Sequence, residues 1–226
     1  MAWYQWMALA ALGFCLGTCL FHFFRLIKLG KPVDYSNPAG SIAQGVKYAF
    51  TGAMDPRRKE SAWLHLPTYT AGLFYHSGTF LSILLFFFIV SGNVPQGWFA
   101  MVTSTILFIS VFSGIFILVK RIFKKELRSL SNPDDYISNT LVTLFQLMTL
   151  LIILLPLLPS YSLTVLPSYR PIVLPSYYLI FTLLMLYLPL GKLRHVVYFF
   201  AARYHLGNFY GRRGVWPQRG IKAEDR

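Results

Sequence analysis

Five histidines hold most of the chemistry this sequence can do: His22, His65, His76, His195 and His205. His65 and His76 are eleven positions apart, or three helical turns. That spacing puts them within roughly 20° of one helix face and about 16 Å apart along the axis. His195 and His205 are ten apart, and His195 sits in "KLRHVVYFFAARYH", which continues an apolar run beginning near Tyr178. An ionisable ring in such a run is costly and needs a partner that justifies it.

The elements that must position these rings are membrane helices. Of the 226 residues, 55% are hydrophobic and only 13% charged, and the apolar residues gather in long blocks. This composition excludes a large soluble core. Five segments approach the roughly 20 apolar residues that a bilayer core requires. They cover about 4 to 24, 67 to 91, 98 to 119, 136 to 157 and 176 to 199. The fold class expected is therefore an all-α membrane protein, a bundle of five transmembrane helices in a single domain over 1–226.

The net charge of +13 follows the same organisation. A nucleic-acid interface would gather basic residues on one water-facing surface with stacking aromatics, whereas here they punctuate apolar segments. Twenty of the 21 Lys and Arg residues fall between spans one and two, between spans three and four, or from Lys192 onward. Only Arg170 lies on the other side. By the positive-inside rule these segments are cytoplasmic, the amino terminus is outside and the tail 200–226 is inside. The first span has no charged beginning, and Arg25 and Lys28 follow it, so it reads as a retained anchor and not as a cleaved signal. The expected location is the cytoplasmic (inner) membrane of a prokaryote, multi-pass, in contact with anionic lipid.

Local signals mark where elements begin. In "SNPDDY" Asn132 is an N-cap, Pro133 takes the first helical position, and Asp134 and Asp135 suit the positive end of the helix dipole, so span four begins there. Asp55 and Pro56 in "MDPRRKE" signal a helical turn before span two. The eight-residue repeat "LPSYSLTV LPSYRPIV LPSYYLIF" from Leu158 is expected to form an extended external cap, because Pro and Ser favour turn backbone. Cys15 and Cys19 share a face of the first span and are read as packing residues. Two thiols cannot ligate an iron–sulfur cluster.

Span two runs outward and span five runs back. His76 lies nine residues beyond Pro67, and His195 eight before Arg203. Both come to roughly 12 to 14 Å from the cytoplasmic ends of their helices. Two imidazoles at one depth on antiparallel helices suit bis-histidine haem b, with the iron taking one nitrogen from each side. Gly72, Ser77 and Gly78 would let a flat macrocycle approach span two, and Arg194 or Lys192 could pair with its propionates. Tyr75 and Tyr198 are candidates for supporting hydrogen bonds. His65 and His205 form a second pair nearer the headgroups, which could hold another haem, and His22 has no evident partner. No catalytic triad, phosphate loop, hydrolase metal signature or dinucleotide fingerprint occurs. No span holds a carboxylate relay for ion pumping.

Three stretches, "AGLFYHSG", "LVKRIFKKELRSLSNPDDYISNTLV" and "LYLPLGKLRHVV", resemble the gamma subunit of respiratory nitrate reductases and the related membrane cytochromes b of heterodisulfide reductase and sulfite-reduction complexes. The resemblance covers spans two to five. It implies haem b between helices two and five, electrons exchanged with a quinone pool, and an iron–sulfur partner subunit of a larger complex. By position His76 and His195 match the pair for the haem nearer the cytoplasm. The ligands of the family's outer haem fall at Phe86 and Tyr177, neither a credible replacement, so the resemblance implies one haem. A quinone could occupy the vacated outer half near Tyr177 and Tyr178, or bind beside the remaining haem. The function expected is electron transfer within a quinone-linked oxidoreductase. The alternative is a haem-free membrane anchor for a soluble enzyme complex.

Overall fold

The computed structural model describes residues 1–30, 33–58, 62, 64–157 and 166–217, with side chains from 172 onward in the last segment. All regular structure among them is helical. The helices are α1 (Trp3–Lys28), α2 (Ile42–Phe50), α3 (Leu66–Val90), α4 (Gly97–Phe123), α5 (Lys125–Ser129), α6 (Pro133–Leu154), α7 (Leu166–Tyr187) and α8 (His195–Arg212), with short 3-10 turns between some of them.

Four helices are long and apolar enough to cross a bilayer: α1, α3, α4, and α6 with the turn that extends it. A fifth span is counted only if the broken pair Ile172–Tyr187 and Lys192–Arg212 is taken as one. The chain is thus an all-helical, multi-pass membrane protein. Its outward faces are strongly apolar, with Phe80, Trp98, Phe108 and Phe112 largely exposed, as suits side chains whose solvent is lipid.

Two expectations are corrected. Span five is not one helix over 176–199, because α7 ends at Tyr187 and a 3-10 turn, Lys192–Arg194, precedes α8. Pro189 has no N–H to donate and its ring crowds the carbonyl four residues back, and Gly191 follows it, so the ladder stops. The repeat is not an extended cap in its second and third copies, which form most of α7, from Leu166 to Phe181. Its first copy, Leu158 to Val165, lies outside the described residues. Pro167 falls in the first turn of α7, where its missing N–H costs nothing, and prolines further along a membrane helix are tolerated when neighbours satisfy the freed carbonyls.

The helix starts follow the sequence signals. Asn132 Oδ1 accepts from Asp135 N and Asp135 Oδ2 accepts from Asn132 N, each at 3.1 Å, with Pro133 opening α6. Asp55 Oδ1 accepts from Arg57 N at 2.9 Å and caps the turn Pro56–Arg58.

The chain divides into two compact units, residues 1–17 with 67–193, and residues 18–66 with 194–226. In the first, α6 packs against both α4 and α7. At its basic end Asp135 is ion-paired with Arg121 (3.3 Å) and with Lys192, and Asp134 accepts from Tyr187 and from Ser138. A buried carboxylate such as Asp135 is stable only because the cations beside it satisfy it.

The second unit is built on α2 against α8. Their contact is glycine on glycine: a Cβ at Gly45 would stand 2.8 Å from Gly211 N and closer still to Gly207 O and Gly211 Cα. Residues without a side chain let the two helix backbones touch. The end of α8 is tied down by Ala39 N and Gly40 N donating to Arg212 O at 2.8 and 3.0 Å. Arg213 grips Asp34 through Nε (3.2 Å) and Nη2 (3.1 Å) while its guanidinium lies 4.1 Å from the Phe209 ring centroid.

Candidate functional site

The orientation of α3 decides what His76 can do. Its buried residues, Ala71, Gly78, Ser82, Leu85, Phe86 and Ile89, define one face. At 3.6 residues per turn, His76 lies about 135° round the helix from the centre of that face. Its side chain is exposed accordingly. Gly72, one turn earlier on the same side, is half-buried, and a Cβ built there would meet no other heavy atom within 4 Å.

What fixes this rotation is a polar clamp on the opposite side, centred on the Tyr75 carbonyl. Gln146 of α6, 0% exposed, donates through Nε2 to Tyr75 O (3.0 Å) and to Thr79 Oγ1 (2.7 Å). Ser110 Oγ of α4 lies 2.8 Å from Gln146 Oε1 and 3.2 Å from Tyr75 O. Thr79 Oγ1 donates to Tyr75 O as well, at 2.8 Å. Tyr75 Oη donates to Asn139 O at 3.0 Å, and the Thr143 hydroxyl sits 3.3 Å from it. In a medium without water, such bonds give a helix pair its azimuth. Sequence reasoning passed over Gln146, although an amide inside "LVTLFQLMTLL" is the kind of intramembrane polar group that signals a partner.

The small residues proposed beside His76 divide between the two sides. Gly72 borders open space, whereas a Cβ at Gly78 would collide with the Ser110 side chain, so Gly78 serves the contact between α3 and α4. Ser77 Oγ donates to Leu73 O within its own helix. Tyr75 supports the backbone at His76 through the clamp; its hydroxyl is committed to α6.

His195 opens α8 and is exposed on its own unit; Arg194 immediately precedes it and is exposed too. His76 belongs to the first unit and His195 to the second. The depth count for His195 assumed an unbroken helix through 176–199, and the break before Lys192 removes that assumption. Lys192, the other propionate candidate, is engaged by Asp135. His65 is exposed at the turn before α3, and His205 is half-buried on α8 with its ring 5.9 Å from that of Tyr204. His22 has aromatic company that the sequence did not reveal, with Tyr198 at 6.3 Å and Phe21 at 5.9 Å between ring centroids.

The positions implied for an outer haem are filled with rings. Phe86 stacks on Phe181 with centroids 3.6 Å apart and planes 10° from parallel, and Tyr177 stacks on Phe145 at 5.7 Å. Phe86, Phe145, Tyr177, Tyr178 and Phe181 are all 0% exposed. Tyr178 also stacks on Tyr4 of α1 and its hydroxyl accepts from Gln5 Nε2 at 3.3 Å. Tyr177 and Tyr178 are therefore members of a packed aromatic core, a stabilising arrangement worth about 0.5–1.5 kcal/mol per ring pair beyond the area buried.

Among the described residues no three or more His, Cys, Asp or Glu side chains gather as a protein-only metal site would require. A bis-histidine haem asks for only two ligands. Comparison with protein-family models, with curated proteins and with solved structures gives no match.

Proposed function

We propose that this chain is a haem b electron-transfer subunit of a membrane oxidoreductase complex, exchanging electrons between a quinone pool and an iron–sulfur partner subunit. The observation that carries the reading is the placement of His76: an imidazole on an apolar membrane helix, turned away from the packed face by the Tyr75 clamp and bordered by open space at Gly72. An ionisable ring on an apolar membrane helix marks a candidate ligand. A flat, iron-bearing macrocycle fits beside a residue without a side chain.

In this reading His76 and His195 would hold the iron through ring nitrogens, and Arg194 would offer a charge for a propionate. Bound haem b supplies one-electron iron chemistry. The chain's own part is to hold its imidazoles in a fixed rotamer and tautomer and to keep the surroundings dry. The aromatic core around Phe86 and Tyr177 supports a single haem, and it supports access of the quinone from the inner leaflet over the outer site beside Tyr178. The basic residues at one end of the bundle suit docking of an acidic electron-transfer subunit.

The test is a haem count on protein expressed with haem in excess. A pyridine haemochrome assay is expected to give one b haem per chain, abolished by His76→Ala and by His195→Ala and retained in His65→Ala. A colourless wild-type protein would replace this reading with the haem-free anchor. Full haem content in His76→Ala would remove the ligand assignment.

A further inference from the structure

At the basic end of the first unit, α3 and α4 leave between them an open groove of about 280 Å3, walled by Ala71, Phe74, Phe112 and Phe116. We propose that it seats an acyl chain of an anionic membrane phospholipid, whose phosphate is held by Lys120.

The lining argues for a hydrocarbon chain. Among the described lining residues the hydroxyls are those of Thr70 and Ser113, and each donates its proton to its own helix, Thr70 Oγ1 to Pro67 O at 3.1 Å and Ser113 Oγ to Ile109 O at 2.8 Å. Neither hydroxyl is left to donate to a quinone carbonyl or a sugar. The remaining wall is aromatic or aliphatic, and it opens sideways where Phe112 is 67% exposed, toward the hydrocarbon of the bilayer.

The rim argues for negative charge. Lys120 lies one turn beyond Phe116, and its ammonium donates to Thr68 Oγ1 on the facing helix, which places it at the basic end of the groove. Among the described residues Lys120 makes no ion pair, whereas its neighbour Arg121 is committed to Asp135 and to Ser131. A half-buried cation that only a neutral hydroxyl contacts, at headgroup level, fits a phosphate. The proposal is independent of haem binding.

Native mass spectrometry of the full chain, reconstituted in equal amounts of phosphatidylglycerol and phosphatidylcholine, tests it. The wild type is expected to retain phosphatidylglycerol about fivefold over phosphatidylcholine, the ratio equivalent to the ~1 kcal/mol that one basic residue contributes near an anionic surface. Lys120→Gln should retain lipid with the preference gone, and Lys124→Gln, a turn further out, should keep it. Thr70→Trp fills the groove from its exposed rim without disturbing the core and should lose the retained lipid. Equal retention of the two lipids by the wild type would overturn the proposal. So would an unchanged preference in Lys120→Gln, a preference lost in Lys124→Gln, or undiminished retention in Thr70→Trp. Displacement of the lipid by a quinone would reassign the groove to a quinone.

Discussion

Replacing Gln146 by leucine tests whether the Tyr75 clamp sets the rotation of α3. The side chain makes three hydrogen bonds, to Tyr75 O, Thr79 Oγ1 and Ser110 Oγ, and a leucine of similar volume removes all of them. Interhelical bonds between membrane helices average about 0.6 kcal/mol in double-mutant cycles, so the loss is about 2 kcal/mol. The figure stays at this low end because no partner is stranded. Ser110 can give its proton wholly to Tyr75 O, 3.2 Å away, and Thr79 already donates there. Were the carbonyl left bare, about 1–3 kcal/mol would be added. The assay is reversible unfolding in mixed micelles by rising detergent fraction, with Gln146→Glu as a conservative control; protonated in hydrocarbon, that side chain keeps one donor and one acceptor. A Gln146→Leu protein as stable as wild type would refute the clamp. A loss beyond about 4 kcal/mol would show that the helices rearrange instead of merely losing these bonds.

Gly45→Ala should destabilise the second unit by about 1–3 kcal/mol, the usual cost of overpacking, since its methyl group would meet backbone of α8 on three atoms. Gly17→Ala, with open space around the new methyl, should leave stability unchanged or raise it by up to about 1 kcal/mol, and limited proteolysis compares the two. Asp34 supplies a pH dependence: the hydrogen bond from Arg213, then that from Ser36 N, holds its carboxyl far below the usual carboxylate range. Because the folded value is depressed, its contribution is complete above the ordinary carboxylate value near pH 4 and fades as pH falls toward the folded value. Hydrogen exchange at Ala39 and Gly40, whose amides bind Arg212 O, should accelerate over that acidic window in the wild type relative to its intrinsic rate. In Asp34→Asn it should be fast throughout.

How far the sequence discloses this molecule depends on whether the deciding interaction is local. The spans were legible because lipid allows a backbone little besides a helix, so an apolar run of sufficient length names its own structure. The Asn132 capping box was legible because its donors and acceptors sit three residues apart. The break after Tyr187 was legible in principle from Pro189 and Gly191, but the apolar run around them favoured one continuous span. The repeat misled in the opposite direction, because prolines that signal a loop in water are compatible with a helix in hydrocarbon. Nothing local in Gly45 announces Gly207 and Gly211 more than 160 positions away, and nothing in Phe86 announces Phe181. Tyr177 and Tyr178 were read as candidates for a quinone because they border the outer half that a second haem would have filled; that both rings pack against Phe145, Phe86 or Tyr4 is seen only in three dimensions.

The two units are held together by different contacts. Helices gain little from burying leucine against leucine when the alternative solvent is an acyl chain, so association must come from close backbone contact or from polar bonds. The first unit uses the second means: Gln146, Ser110, Thr79 and Tyr75 inside, Asp135 with its two cations at the end. In the second unit, glycines stand face to face and Arg213 clasps Asp34. His76 stands on the side of α3 that the clamp turns outward. In the haem reading proposed above, the open space beside Gly72 is where the flat macrocycle would lie.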